Sequence, residues 1–353
     1  MAIDNRIRHL DGIRGIAIAA VVLVHWVGSQ ISLAQGGYIG VDLFFVLSGF
    51  IITTILLKRQ LTYKQFIARR IRRLYPPLAG FLIGGTALVW LLPDAAPDLT
   101  DALRSAAIAT IQGSAVVLAS GGHLIPFTVT WSLSVEWMFY LAWPFALTRL
   151  ARLDSRRAAL LCAAATATLY AAALALPARW FYFGPVSRSG ELVAGAGLVF
   201  AMNASWPATA TKWTPRAATV AATVGLPFIL LWSIMGPGPY SFGYRAFGFP
   251  ITIVIAISLI VAGSASNTLV HRVLTWRPLV TVGLISYSLY LWHAFPINLL
   301  GSHWLGQPPA VVAAFAVLIV LATTTTGYLL LEKPFTRPSK PPAMRTPQRQ
   351  STP

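Results

Sequence analysis

The sequence predicts an all-α, polytopic membrane protein of about ten transmembrane helices with both termini in the cytoplasm. Three observations carry this expectation. Of 353 residues, 56% are apolar and only 10% are charged, where soluble globular domains carry about 25% charged residues. Apolar runs of near-spanning length recur along the whole chain, and Lys and Arg concentrate in every second gap between them.

The runs fall at 12–30, 39–57, 77–92, 131–148, 158–176, 188–202, 217–234, 246–264, 281–300 and 309–331. At 1.5 Å per helical residue, most of them reach across a hydrocarbon core about 30 Å thick. The stretch 102–120 is weaker, because Arg104, Gln112 and Ser114 interrupt it and Gly121, Gly122 and His123 follow. It reads as re-entrant or peripheral. With the N-terminus inside, 23 of the 27 Lys and Arg residues fall on the cytoplasmic side; only Arg104, Arg179, Arg188 and Arg245 do not. An eleventh span at 102–120 would invert every later loop and destroy that bias.

A net charge of +17 would suit nucleic acid on a soluble surface, but here the basic residues sit in short clusters between apolar runs. The expected partner is the lipid bilayer of the inner (plasma) membrane, with no nucleic acid. The single Cys162 excludes an intramolecular disulfide, a cysteine zinc cluster or a CxxC motif. No metal and no permanently bound cofactor is expected. Residues 1–335 read as one membrane domain and 336–353 as a disordered, basic, Pro-rich cytoplasmic tail. A cleaved signal peptide ending near Ser32-Leu33-Ala34 is the competing reading of the first run; Arg14 and His25 inside that run favour a retained helix.

Ionisable groups inside spans are expensive unless they face a cavity or a partner. Arg14 and His25 are eleven residues apart, which on an α-helix places them about 20° apart in azimuth and about 16 Å apart along the axis. One face then holds Arg14 at the cytoplasmic boundary and His25 deep in the bilayer. The plain alternatives are a snorkelling anchor for Arg14 and an interhelical hydrogen bond for His25. Rise per residue puts His293 and Ser48 near the depth of His25, with Glu136 and Asp42 somewhat higher. Five polar groups from four helices would thus surround one chamber. A histidine there suits proton removal from a hydroxyl, and a carboxylate beside it would fix its tautomer. Depth does not choose between Asp42 and Glu136. The segment 63–76, with Arg69, Arg70, Arg72 and Arg73, reads as an amphipathic interfacial helix ended by Pro76 and Pro77. It serves either as a lipid anchor or as a phosphate clamp of guanidinium forks. Arg188 and Glu191 read as an ion pair on a helix surface.

Six strings in order resemble the acyltransferase 3 family of bacterial membrane O-acyltransferases. Arg14 through His25 is similar to its R-x10-H element, and Phe44-Phe45-Val46-Leu47-Ser48-Gly49-Phe50 to its FFxxSGF element. Arg70-Ile71-Arg72-Arg73-Leu74-Tyr75-Pro76 resembles its basic stretch, and Trp131-Ser132-Leu133-Ser134-Val135-Glu136 its WSLxxE element. Ser286 through His293, including Tyr290, and Glu332-Lys333-Pro334-Phe335 resemble late family features. The resemblance implies an acyl-CoA:hydroxyl O-acyltransferase moving a short acyl group, most simply acetyl. Arg14, Arg70 and Arg73 would hold the CoA phosphates, and His25 would act as base with Glu136 or Asp42. Ser48, Trp131, Tyr290 and His293 would contact substrate. The acceptor would be a sugar-bearing natural product such as a macrolide, or a cell-envelope glycan or glycolipid. Direct transfer is preferred over an acyl-enzyme, since no cysteine falls in the predicted chamber. A transporter of an anionic or acylated solute is the alternative from another class, because midplane polar residues and basic mouths also describe transporters.

Overall fold

The computed structural model describes residues 8–27, 34–91, 98–300 and 309–336. The predicted tail therefore lies outside the described residues except for Thr336, as do Ser32 and Leu33 of the small-residue stretch. Among the described residues every regular element is helical. The chain runs through α1 (Arg8–Trp26), α2 (Ile39–Arg59), α3 (Tyr63–Leu91), α4 (Leu99–Thr110), α5 (Ser114–Ala119) and α6 (Trp131–Leu150). It continues through α7 (Ser155–Leu174), α8 (Ala178–Phe183), α9 (Pro185–Asn203), α10 (Ala208–Met235) and, after a π turn at Tyr244–Gly248, α11 (Phe249–Gly263). It ends with α12 (Leu269–Leu274), α13 (Arg277–Leu284), α14 (Ser286–Trp292), α15 (Phe295–Leu300), α16 (Pro309–Thr326), a second π turn at Gly327–Glu332 and α17 (Lys333–Thr336).

All ten predicted runs fall on helix. Seven stretches are long and apolar enough to cross a membrane, and an eighth is made by α13 with Ser286–Ile297 if that pair, bent by 61°, is one span. The runs 131–148 and 188–202 became α6 and α9, of 20 and 19 residues. They have the length to span but fall outside that set because their polar residues lower the mean hydropathy, and those residues are turned into the bundle. Ser132, Ser134 and Tyr140 of α6 are buried, as are Ser187, Arg188 and Glu191 of α9. The weak stretch 102–120 resolves into α4 and α5, about 18 and 9 Å long, joined by a turn in which Gln112 takes φ +60°. Neither is long enough to cross alone. Asp98 starts α4 by accepting from the Thr100 amide at 3.0 Å.

The prolines do not end the basic segment. α3 runs without a break from Tyr63 to Leu91 with Pro76 and Pro77 inside it, which corrects the expected interfacial helix. Proline removes two intrahelical donors, but neighbouring helices in a membrane bundle can supply others. The Tyr287 hydroxyl of α14 donates to the Leu74 carbonyl at 2.7 Å, next in the chain to the Arg72 and Arg73 carbonyls whose helical donors Pro76 and Pro77 remove, and ties this part of α3 to the bundle. Continuity has a consequence: Arg70 and Arg73 sit on the first turns of a helix anchored in the bundle, with Arg70 buried and Arg69 and Arg72 exposed.

α2 is the central strut, packing on α1 along one side and on α9 along the other. The α2–α9 approach is close because it is made by glycine. A β-carbon on Gly49 would collide with the Leu192 backbone, and one on Gly195 with the Val46 carbonyl. Small residues let helices close to backbone contact, where packing supplies the association that water cannot drive in lipid. Gly195→Leu is expected to lower stability by about 1–3 kcal/mol through overpacking. Gly238→Ala, where an added carbon meets open space, is the control. Thermal unfolding of the two variants in the same detergent reads the difference.

Candidate functional site

Several helices converge on a cavity of about 930 Å³, open mouth included. Each contributes a helical stripe. Ser132, Glu136 and Tyr140 are spaced i, i+4, i+8 on α6, Val41, Phe44, Phe45, Ser48 and Ile52 follow the same period on α2, and Arg70, Arg73 and Leu74 line up on α3. Arg14 enters from α1, Ser286, Tyr287 and Tyr290 from α14, and Glu332 from the second π turn. One end is basic and the other is apolar and hydroxylic. At the first, three guanidiniums face two carboxylates. Arg14 also pairs with Asp11 at 3.2 Å, and the Arg70 guanidinium stacks between the rings of Phe66 and Tyr140, 5.3 and 5.1 Å from their centroids. Tyr140 donates to Glu136 at 2.5 Å, and Ser288 donates to Glu332 at 2.7 Å.

At the other end, Ser132 donates to the Tyr290 hydroxyl at 2.8 Å, and that hydroxyl donates to the Val129 carbonyl at 3.0 Å. The Phe44 ring meets the Tyr290 ring edge-on at 6.3 Å. These contacts make Tyr290 a wall. Beyond it stand the histidines: the His293 ring lies 5.6 Å from that of Tyr290 and 4.8 Å from that of His25. Both ends of α1 therefore meet the bent α13–α14 segment, Arg14 through the cavity beside Gly283 and Ser286, and His25 through His293. Arg14 thus lines the cavity, while His25, eleven residues on, lies outside its lining and past Tyr290.

The single chamber of five polar groups is not what forms. Ser48 and Glu136 line the arginine cavity, His25 and His293 lie together past Tyr290, and Asp42 belongs to a third place. There the Arg188 side chain is fully buried, donating to Asp42 at 2.6 Å, to Glu191 at 3.1 Å and to the Tyr182 carbonyl at 2.8 Å. Arg188 and Glu191 are thus an interior pair, not a surface one. Tyr244, carried inward by the first π turn, donates to both oxygens of Asp42 at 2.8 and 2.9 Å. Trp131 packs its ring 5.5 Å from the same guanidinium, as do Phe45, Tyr182 and Phe249 at 4.7 to 5.7 Å. Asp42 and Trp131 therefore meet each other through Arg188.

Sequence reasoning gave no site role to four residues that the geometry brings forward: Glu332, Tyr140 and Tyr287, which it met only as parts of family strings, and Arg188, which it read as half of a surface ion pair. For Arg188 a signal existed, since it is one of only four basic residues that the predicted topology leaves off the cytoplasmic side. For Glu332 there was little, because a π turn, which often marks functional positions in helices, is not written in apolar periodicity. No group of three or more His, Cys, Asp or Glu suited to a metal occurs among the described residues.

The family model described as an acyltransferase domain matches residues 7–330. The Bacillus subtilis protein YrhL is 31% identical over 352 residues, covering 92% of this chain and 54% of that protein. The peptidoglycan O-acetyltransferase OatA of Listeria monocytogenes is 30% identical over 82% of this chain and 49% of its own length. The O-acetyltransferase OatA of Staphylococcus aureus is 27% identical over 92% and 56%. The chain spans about half the length of these curated relatives. No solved structure matches it.

Proposed function

Because the chain belongs to the acyltransferase family whose domain covers residues 7–330, we propose that it is a multi-pass enzyme of the bacterial inner membrane moving an acetyl group from cytoplasmic acetyl-CoA to a cell-wall glycan hydroxyl. The observation that carries the donor half is the convergence of Arg14, Arg70 and Arg73 on one cavity between helices. Guanidinium forks are suited to phosphate and diphosphate, and stacking on Phe66 and Tyr140 holds the Arg70 fork in place. The names of the Bacillus and Listeria relatives, which both specify peptidoglycan, favour a glycan acceptor of that type over a macrolide. In this reading ten helices cross, α6 and α9 included, and both ends of the chain are cytoplasmic.

The chemistry follows from the two ends of the path. The CoA phosphates lie against the arginines, and the pantetheine arm runs along the Ser48–Ser132 side toward Tyr290. His25 Nδ1 donates to the Val21 carbonyl at 2.8 Å, so the proton sits on Nδ1 and Nε2 carries the lone pair. Nε2 takes the acceptor hydroxyl proton as the oxygen attacks the thioester carbonyl. The tetrahedral intermediate expels the thiolate, the C–S bond breaks, and the imidazolium returns the proton to sulfur. Tyr290 stands between the arginine cavity and the histidines, so a swing of its side chain that breaks its hydrogen bonds to Ser132 and the Val129 carbonyl would open the way.

The test uses the purified full chain in nanodiscs with labelled acetyl-CoA and a muropeptide acceptor, following CoA release and label on the glycan. His25-dependent label transfer is expected. Acetyl-CoA binding with no such transfer to any glycan hydroxyl overturns the reading. Arg70→Ala and Arg73→Ala are each expected to raise the KM for acetyl-CoA about 10- to 100-fold, as for loss of one charge-assisted hydrogen-bonding group. Added salt should narrow the gap between these variants and the parent.

A further inference from the structure

We infer that His293 is the positioning residue of His25, the part that the sequence offered to a carboxylate. This rests on the general-base reading above. His293 is fully buried while His25 is partly open, so the first is placed to act through the second rather than on a substrate. Two hydrogen bonds fix it. Its Nδ1 donates to the Tyr290 carbonyl at 2.7 Å, which puts the proton on Nδ1 and leaves Nε2 an acceptor. The indole of Trp26, the residue after His25, donates to the His293 carbonyl at 2.9 Å. His293 Nε2 then lies 3.4 Å from His25 Nδ1, with the rings at 83°.

That geometry makes a chain with one direction. The Tyr290 carbonyl accepts from His293, and His293 Nε2 and the Val21 carbonyl share the Nδ1 proton of His25. When His25 takes the hydroxyl proton on Nε2, the positive charge spreads to Nδ1, where a lone pair and a carbonyl oxygen already face it. Preorganised acceptors of this kind strengthen as charge develops, without rearranging at the moment of reaction. Asp42 is committed to Arg188 and Tyr244, and Glu136 to Tyr140. Tyr38, packed edge-on against His25 at 5.7 Å, closes the ring from the turn before α2 and keeps it facing His293.

The variants are His293→Leu, which fills the space without an acceptor, and His293→Gln, whose side-chain oxygen reaches the place of Nε2. Steady-state acetyl transfer in nanodiscs reads kcat and the KM for acetyl-CoA separately, with melting temperature recorded alongside. His293→Leu is expected to lower kcat on the order of 100-fold, a typical share for an acid–base partner, with KM within about twofold. His293→Gln is expected to recover at least tenfold of that loss. Equal kcat in the Gln and Leu variants, or a loss confined to KM, overturns the positioning role and leaves His25 as base. Full activity of His25→Ala overturns the general-base reading itself, and the positioning role with it.

Discussion

In the purified chain, His25→Ala lowers kcat for acetyl transfer about 1,000-fold, within the range lost when a positioned base is removed, while acetyl-CoA binding stays within about twofold. Both halves of the expectation come from placement. His25 lies past Tyr290, outside the set of residues lining the arginine cavity, so its truncation leaves the phosphate contacts intact. Its Nε2 is the nitrogen with the lone pair because Nδ1 donates to the Val21 carbonyl one turn back. Binding by calorimetry and transfer by label counting, done on one preparation, separate the two effects. Arg73→Ala gives the opposite split, with weakened binding and a smaller change in kcat. Equal loss of binding in both variants would mean that one continuous pocket, undivided by Tyr290, holds donor and base.

Replacing Arg188 by Met destabilises the fold by about 3–5 kcal/mol, the usual penalty for stripping one partner from a buried ion network. Arg188, Asp42 and Glu191 all have side chains with no solvent exposure. Without the guanidinium, two carboxylates face each other inside a shell of Phe45, Trp131, Tyr182 and Phe249, none able to balance their charge. The midpoint of thermal unfolding in detergent should fall steeply. The triple variant Arg188→Met, Asp42→Asn, Glu191→Gln should recover much of it, because apolar and neutral replacements of a whole buried network are often tolerated. A parent-like midpoint for Arg188→Met alone would remove the view that this cluster ties α2 to α9. Since Asp42 and Trp131 both serve the cluster, their single variants should lose activity together with stability. That separates them from His25, whose variant should stay folded.

Much of the architecture was legible because it rests on one-dimensional quantities. Apolar run length located the long helices, and helical periodicity put Arg14 and His25 where α1 meets the α13–α14 segment. The stripe of Arg70, Arg73 and Leu74 follows from spacing as well. What escaped were departures from regular helix. Nothing in local rules predicted that Pro76 and Pro77 would stay inside α3, since the contacts that hold this part of the helix, Tyr287 on the Leu74 carbonyl among them, come from residues more than two hundred positions away. The two π turns that turn Tyr244 and Glu332 inward are equally silent in the sequence.

By itself the sequence determined that this chain is helical and membrane-embedded, that it carries its polar groups at a few depths, and that it belongs beside the acyltransferases. Only the tertiary structure decided which of those groups meet. Rise per residue fixes a side chain's height but leaves its azimuth and its neighbours open. Five polar residues of similar height were therefore one chamber on paper and three places in the fold. The reason is packing. Glycine contacts draw α9 against α2 and put Arg188 beside Asp42, and the 61° bend after α13 carries His293 to His25.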